Sequence, residues 1–130
     1  MVNIDFFKQQ SKRFFKDYQT RVFNEAEGVY EYNPRYFPDI DSIIVDFDID
    51  EHGNFTHMNA QHIIAVLSGF SKWNELIKAS SPLLEIGKLL LENRENCFVE
   101  EWKIYERQNL QTFSDESKLE VFKLVFLSKE

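Results

Sequence analysis

Cysteine is almost absent from this 130-residue chain: Cys97 stands alone, which excludes an intramolecular disulfide framework. Proline and glycine are scarce too, at three and four residues, and this argues against a turn-rich sandwich or barrel. No stretch approaches the roughly 18 apolar residues of a membrane span. The start, MVNIDFFKQQ, lacks the uncharged apolar run of a secretory leader. A soluble, cytoplasmic protein without a membrane segment is expected. Catalytic signatures are missing as well. There is no glycine-rich phosphate loop, no H-E-x-x-H pair and no G-x-S-x-G elbow. The expectation is a non-enzyme with no cofactor and no resident metal.

Apolar residues make up 43% of the chain and aromatics 15%, with 13 Phe, so material for a packed core is ample and disorder is excluded. At this length one core is expected. The predicted fold is mainly α: a single helical domain over residues 1–130, a bundle of about five to six helices, with a short hairpin near residues 43–56 as an option. The net charge of -7 is unevenly spread. Residues 1–23 carry five basic side chains against two acids, whereas 24–56 carry nine acids against Arg35 alone. An acidic chain with one basic helix is a poor generic nucleic-acid binder, because non-specific affinity comes from neutralised phosphates.

Residues 4–23 read as an amphipathic helix, with Phe7, Phe14, Phe15, Tyr18 and Val22 on one face and a Lys8, Lys12, Lys16 stripe elsewhere. Asn3 is its expected cap, with Asp5 in the first turn. That stripe reads either as a solvated face that neutralises the acidic middle segment or as a phosphate-contacting one. From 24 to 39 the pattern breaks at Gly28, Pro34 and Pro38, giving an ordered connector laid down by Tyr30, Tyr32, Tyr36 and Phe37. An aromatic ligand platform is the alternative there. Over 41–47 a short helix is favoured, against strand alternation of Val45, Phe47 and Ile49. Thr56 or Asn59 then caps a helix to Ser68, and Gly69 stops it. Ser71 is expected to cap a second helix to Ala79, with Trp73 directed inward. Pro82 opens a third, whose Leu83, Leu84, Ile86, Leu89, Leu90 and Leu91 make it the buried centre, with Gly87 admitting a neighbour. Phe98, Trp102 and Tyr105 mark another helix. Ser114 caps the last, for which a strand over 121–127 competes.

Several constellations invite a chemical reading. Asp48, Asp50 and Gly53 sit at calcium-loop spacing, yet His52 occupies an oxygen-ligand position and Asn59 replaces the closing glutamate, so an acidic surface turn is favoured over a weak metal-binding loop at 48–59. His52, His57 and His62 are five residues apart and share no helical face. Cys97, beside Phe98 and Val99, reads as a small buried residue. The stretch 59–80 follows the first half of a DNA-binding helix-turn-helix, with Lys72, Asn74 and Lys78 as the candidate contacts. Its second half departs from that pattern: Glu75 stands where an apolar residue belongs, and few polar side chains are offered to bases.

The residues Ala60, Gln61, His62, Ile64, Ala65, Gly69, Phe70, Trp73 and Leu76 spell A-Q-H-x-I-A-x-x-x-G-F-x-x-W-x-x-L. This resembles a motif of small, largely uncharacterised bacterial proteins, in which it follows a lysine-rich N-terminal helix. The resemblance implies a structural unit of Gln61, Ala65, Gly69, Phe70, Trp73 and Leu76 and brings no catalytic residue with it. The sequence therefore points to a protein-interaction module with an unidentified protein partner, whose surface comprises Lys8, Lys12 and Lys16 with Asp46, Asp48 and Asp50. A helix-turn-helix DNA binder is the alternative.

Overall fold

The computed structural model describes residues 2–96 and 98–127 and is mainly helical. Cys97, expected as a small buried residue, lies outside the described residues. The order is α1 (Ile4–Tyr18), β1 (Val22–Asn24), β2 (Val29–Glu31), α2 (Ile40–Asp46), α3 (His57–Leu67), α4 (Trp73–Ile77), α5 (Ser81–Glu92), α6 (Phe98–Asn109) and α7 (Asp115–Phe122). A 3-10 turn at Arg94–Asn96 precedes α6, and a π-helical turn at Lys123–Leu127 follows α7. Seven α-helices thus stand among the described residues, more than the five to six expected. None is long and apolar enough to cross a membrane. Contacts gather the chain into two compact units, one of Lys8–Ile63 and one of the residues up to Phe7 with those from Ile64 onward.

In the Lys8–Ile63 unit, α1 ends at Tyr18 rather than near residue 23. Asp17 turns inward there, and Val22 enters a strand, 68% exposed. Asp17 is 2% exposed and accepts the backbone N–H groups of Arg35 (2.9 Å), Tyr36 (2.8 Å) and Phe37 (2.6 Å). One buried carboxylate therefore pins the proline-bounded segment to α1. The hairpin lies at β1 and β2, not near residues 43–56. Phe23 pairs with Tyr30, and the connecting turn closes through Asn24, whose carbonyl accepts the Gly28 N–H at 2.8 Å and whose side chain accepts that of Glu27. Gly28 supplies the left-handed residue, φ +71°. The expected connector over 24–39 therefore begins as a strand pair.

The expected helix over 41–47 forms as α2, burying Ile40, Ile43 and Ile44. It ends in a Schellman turn: Asp48 takes φ +52°, its N–H reaches the Val45 carbonyl, and the Ile49 N–H reaches that of Ile44. Thr56 and Asn59 exchange hydrogen bonds at the start of α3 in a capping box, each satisfying the other's N–H. Phe14, Tyr18, Phe37 and the α2 isoleucines form the core of this unit.

In the other unit, the end of α3 is a second Schellman turn, and it explains part of the motif. Gly69 at φ +91° bonds to the Val66 carbonyl, while the Phe70 N–H reaches that of Ala65 at 2.9 Å. Ala65, Gly69 and Phe70 are thus the helix stop itself. Helix α5 is capped by Ser80, whose hydroxyl accepts the Leu83 N–H and donates to Asp115 at 2.7 Å. Leu84, Ile86, Gly87, Leu90 and Leu91 are buried on it, as expected of a central helix. A Cβ on Gly87 would stand 3.1 Å from the Phe70 ring and from the Ser68 carbonyl, so this glycine admits the corner. Helix α7, capped by Ser114, packs on α5; the competing strand over 121–127 does not form. The core is Ile86, Leu90, Trp102, Leu110 and Phe122, with the Trp102 ring edge-on to Phe122 at 5.1 Å.

Two expectations about α4 are corrected. Ser71 does not cap it: Lys72 is the capping residue, without a side-chain bond, and the Glu75 carboxylate instead accepts the Ser71 N–H. Trp73 is half-buried rather than locked inward; Leu76 is the residue that α4 buries. A helix of five residues presents too narrow an apolar stripe to seat both.

Candidate functional site

All six residues of the expected interaction surface belong to the Lys8–Ile63 unit, and all six are exposed. Lys8, Lys12 and Lys16 recur every fourth residue along α1. Asp46 closes α2, Asp48 occupies the left-handed position after it, and Asp50 turns back to accept the His52 N–H. No ion pair joins the lysines to these aspartates among the described residues. Nor do any three His, Cys, Asp or Glu side chains gather closely enough there to hold a metal ion.

The segments bearing these charges are tied by a block that no sequence motif announces. Tyr18, at the end of α1, stacks on Phe55 at 4.1 Å. The Arg21 guanidinium lies 4.7 Å from the Tyr18 ring centre and 4.9 Å from that of Tyr30, and donates to the Glu51 carbonyl at 3.1 Å. Tyr32 donates its hydroxyl to the Glu51 carboxylate at 2.5 Å. Burial first, and that hydrogen bond second, raise the Tyr32 pKa; burial also raises Tyr18, opposed by Arg21. Of the aromatics expected as a ligand platform, Tyr30 and Tyr32 are therefore occupied by the chain's own Arg21 and Glu51, and Tyr36 is met by Arg13 and Arg35. In linear sequence these residues are 30 positions apart and carry no spacing signal.

His57 comes within 3.4 Å of the Ser11 hydroxyl, a serine–histidine approach that no motif announced. Ser11 is fully buried, and its hydroxyl already donates to the Lys8 carbonyl at 2.8 Å. This pair braces α1 against α3. His52 and His62 are exposed.

In the other unit, the candidate DNA contacts Lys72, Asn74 and Lys78 are exposed on or beside α4. Five residues at 1.5 Å each make α4 about 7.5 Å long, and only Asn74 and Lys78 share a face. The motif residues divide by burial: Ala65 and Leu76 are buried, while Gln61, Gly69, Phe70 and Trp73 are half-buried.

Gly69 and Phe70 also line a cleft of about 270 Å³. Its floor is apolar, made by Phe70, Ile86, Leu90 and Trp102, and its rim carries Glu75, Lys103 and Glu106. Hydrogen bonding to Ser71, aided by Lys72 and Lys103, lowers the Glu75 pKa. Ser68 also lines the cleft, and its buried hydroxyl has no hydrogen-bond partner among the described residues. A second depression of about 330 Å³ shares Lys103 and Glu106 and adds Arg107, Gln111 and Lys118. Lys118 bonds Glu106 at 2.9 Å. The α6 contribution had only an i, i+4 spacing of Trp102 and Glu106 to announce it, which also describes any amphipathic helix. Compared with known proteins, the chain matches no family model, no curated protein and no solved structure.

Proposed function

We propose that this chain is a non-catalytic protein-interaction module that engages a protein partner through Lys8, Lys12 and Lys16 together with Asp46, Asp48 and Asp50. The observation that carries this reading is that all six charges are exposed and none is spent on another within the unit that bears them. Opposed charges of this kind steer encounter and fix orientation when a complementary surface approaches. The aromatic block around Arg21 supports the reading by holding the end of α1 and the acidic turn together. DNA recognition through Lys72, Asn74 and Lys78 has weaker support, because so short a helix offers few side chains to a groove.

The test is partner capture from a cell extract by the tagged chain, repeated with K8E/K12E/K16E and with D46K/D48K/D50K. Both reversals should keep the circular dichroism spectrum and abolish capture, and capture by the parent chain should weaken as salt rises. Capture indifferent to salt and to both reversals would refute the proposal. Salt-sensitive retention of duplex DNA, lost on K72E/K78E, would replace it with the DNA reading.

A further inference from the structure

Independently of that interaction surface, we infer that the outward face of α6 docks a second copy of this chain, as an antiparallel two-fold pair centred on Ile104. The face is a continuous exposed stripe. Glu100, Glu101, Ile104, Arg107 and Gln108 are all exposed, while Trp102, about 160° round the helix from Ile104, is buried in the core. Ile104 is the one apolar residue of the stripe, 42% exposed, and it borders a shallow depression of about 370 Å³ made with Glu101, Tyr105, Gln108 and Phe126. The π-helical turn that sets Phe126 against Trp102 and Tyr105 leaves its Leu124 71% and Val125 49% exposed. Uncovered apolar side chains on α6 and the turn packed against it mark a contact surface.

The charges around Ile104 say what covers it. At about 100° per residue, Glu100 and Arg107 lie about 40° and 60° to one side of Ile104, and Glu101 and Gln108 about 60° and 40° to the other. A two-fold axis across the helix turns the second α6 antiparallel and sets each side against the same side of its copy. Glu100 then opposes the second copy's Arg107, and Glu101 opposes its Gln108. Each pair occurs twice, while Ile104 meets its own equivalent and the two depressions face each other. A parallel pair would instead oppose Glu100 to Glu101, two carboxylates. The charges are available for this, since no ion pair among the described residues engages Glu100, Glu101 or Arg107. Lys103, about 100° round the helix, is turned to the cleft and to Glu75. Twelve residues make a face about 18 Å long, which buries less than the roughly 1,200 Å² of a standard interface. The pair is therefore weak, with a dissociation constant on the order of 100 µM.

Sedimentation equilibrium of the full chain from micromolar to millimolar concentration tests this, with thermal melts confirming that each variant folds. The parent should pass from monomer to dimer, and Ile104→Gln should weaken the dimer at least tenfold. E100R and R107E should each weaken it at least fivefold, because each places like charges at both contacts. An equimolar mixture of the two should restore association to within about twofold of the parent, as should E100R/R107E, since both arrangements return opposite charges to each contact. Mixing rescues a charge clash and not a folding defect. A parent chain monomeric at millimolar concentration would overturn the inference, as would a dimer indifferent to Ile104→Gln or charge reversals that mixing fails to rescue. A monomeric parent that captures a different protein from an extract, and loses it on Ile104→Gln, would overturn it in favour of an unlike partner.

Discussion

Replacing Asp17 should cost more than replacing any other charged residue in the Lys8–Ile63 unit. Its carboxylate is 2% exposed and accepts three backbone N–H groups, at 2.9, 2.8 and 2.6 Å. In Asp17→Ala the Phe37 N–H loses this acceptor inside the core, a loss of about 1–3 kcal/mol for a buried donor. The N–H groups of Arg35 and Tyr36 lie nearer solvent, where water compensates in part, and each contributes about 1 kcal/mol. The expected destabilisation is about 4 kcal/mol, or roughly 10–15 °C in melting temperature for a chain of this size. Asp17→Asn keeps one acceptor oxygen but turns an NH2 toward a backbone donor, so its loss should be about half as large. Urea and thermal unfolding followed by circular dichroism read both variants. An Asp17→Ala melting temperature within about 3 °C of the parent would refute the reasoning, since it would mean that the 35–37 segment does not depend on this carboxylate.

Gly69→Ala should cost about 2–3 kcal/mol, because the residue sits at φ +91° and its Cβ would stand 2.8 Å from Leu90. Gly28→Ala, at φ +71° with open space around it, should lose only the backbone part, about 1 kcal/mol; equal urea midpoints for the two variants would contradict the Leu90 contact. Trp102→Ala should cost about 3–5 kcal/mol and Trp73→Ala about 1–2, reflecting core against half-buried positions, and reversed melting temperatures would disprove that assignment. Burial and Glu51 hold the Tyr32 hydroxyl above the ordinary tyrosine pKa of about 10, so folding favours its protonated form. That stabilisation is complete below about pH 10 and is lost as pH rises through the folded-state value. The urea midpoint should fall more steeply between pH 10 and 12 in the parent than in Tyr32→Phe, and coincident slopes would count against the Tyr32–Glu51 bond.

Local signals were read well where the responsible residues are neighbours in sequence. Ser114 and the Thr56–Asn59 pair cap their helices because a side-chain oxygen two or three residues away is always within reach of a free N–H. The hairpin was legible too, in VFNEAEGVY, where Asn24 and Gly28 mark a turn between two apolar pairs. The prolines at 34 and 38 that follow give the segment as a whole the composition of a connector, which masks this signal. For Trp73 the physical reason differs: helical spacing identifies a face but not how much of it a neighbour covers, and α4 is too short for its Trp to be enclosed.

By itself the sequence determined the helical class, the stops and starts of most helices, and the exposure of Lys8, Lys12, Lys16, Asp46, Asp48 and Asp50. These follow from periodicity, capping and charge, all of which act within a few residues. Tertiary structure alone decided that Asp17 would serve the 35–37 backbone, that Arg21 would fill the space between Tyr18 and Tyr30, and that Lys103 and Trp102 would meet Gly69 and Phe70 at one cleft. Those groupings join residues about 10 to 35 positions apart, and burial of shared apolar surface brings them together without leaving a spacing rule in the chain.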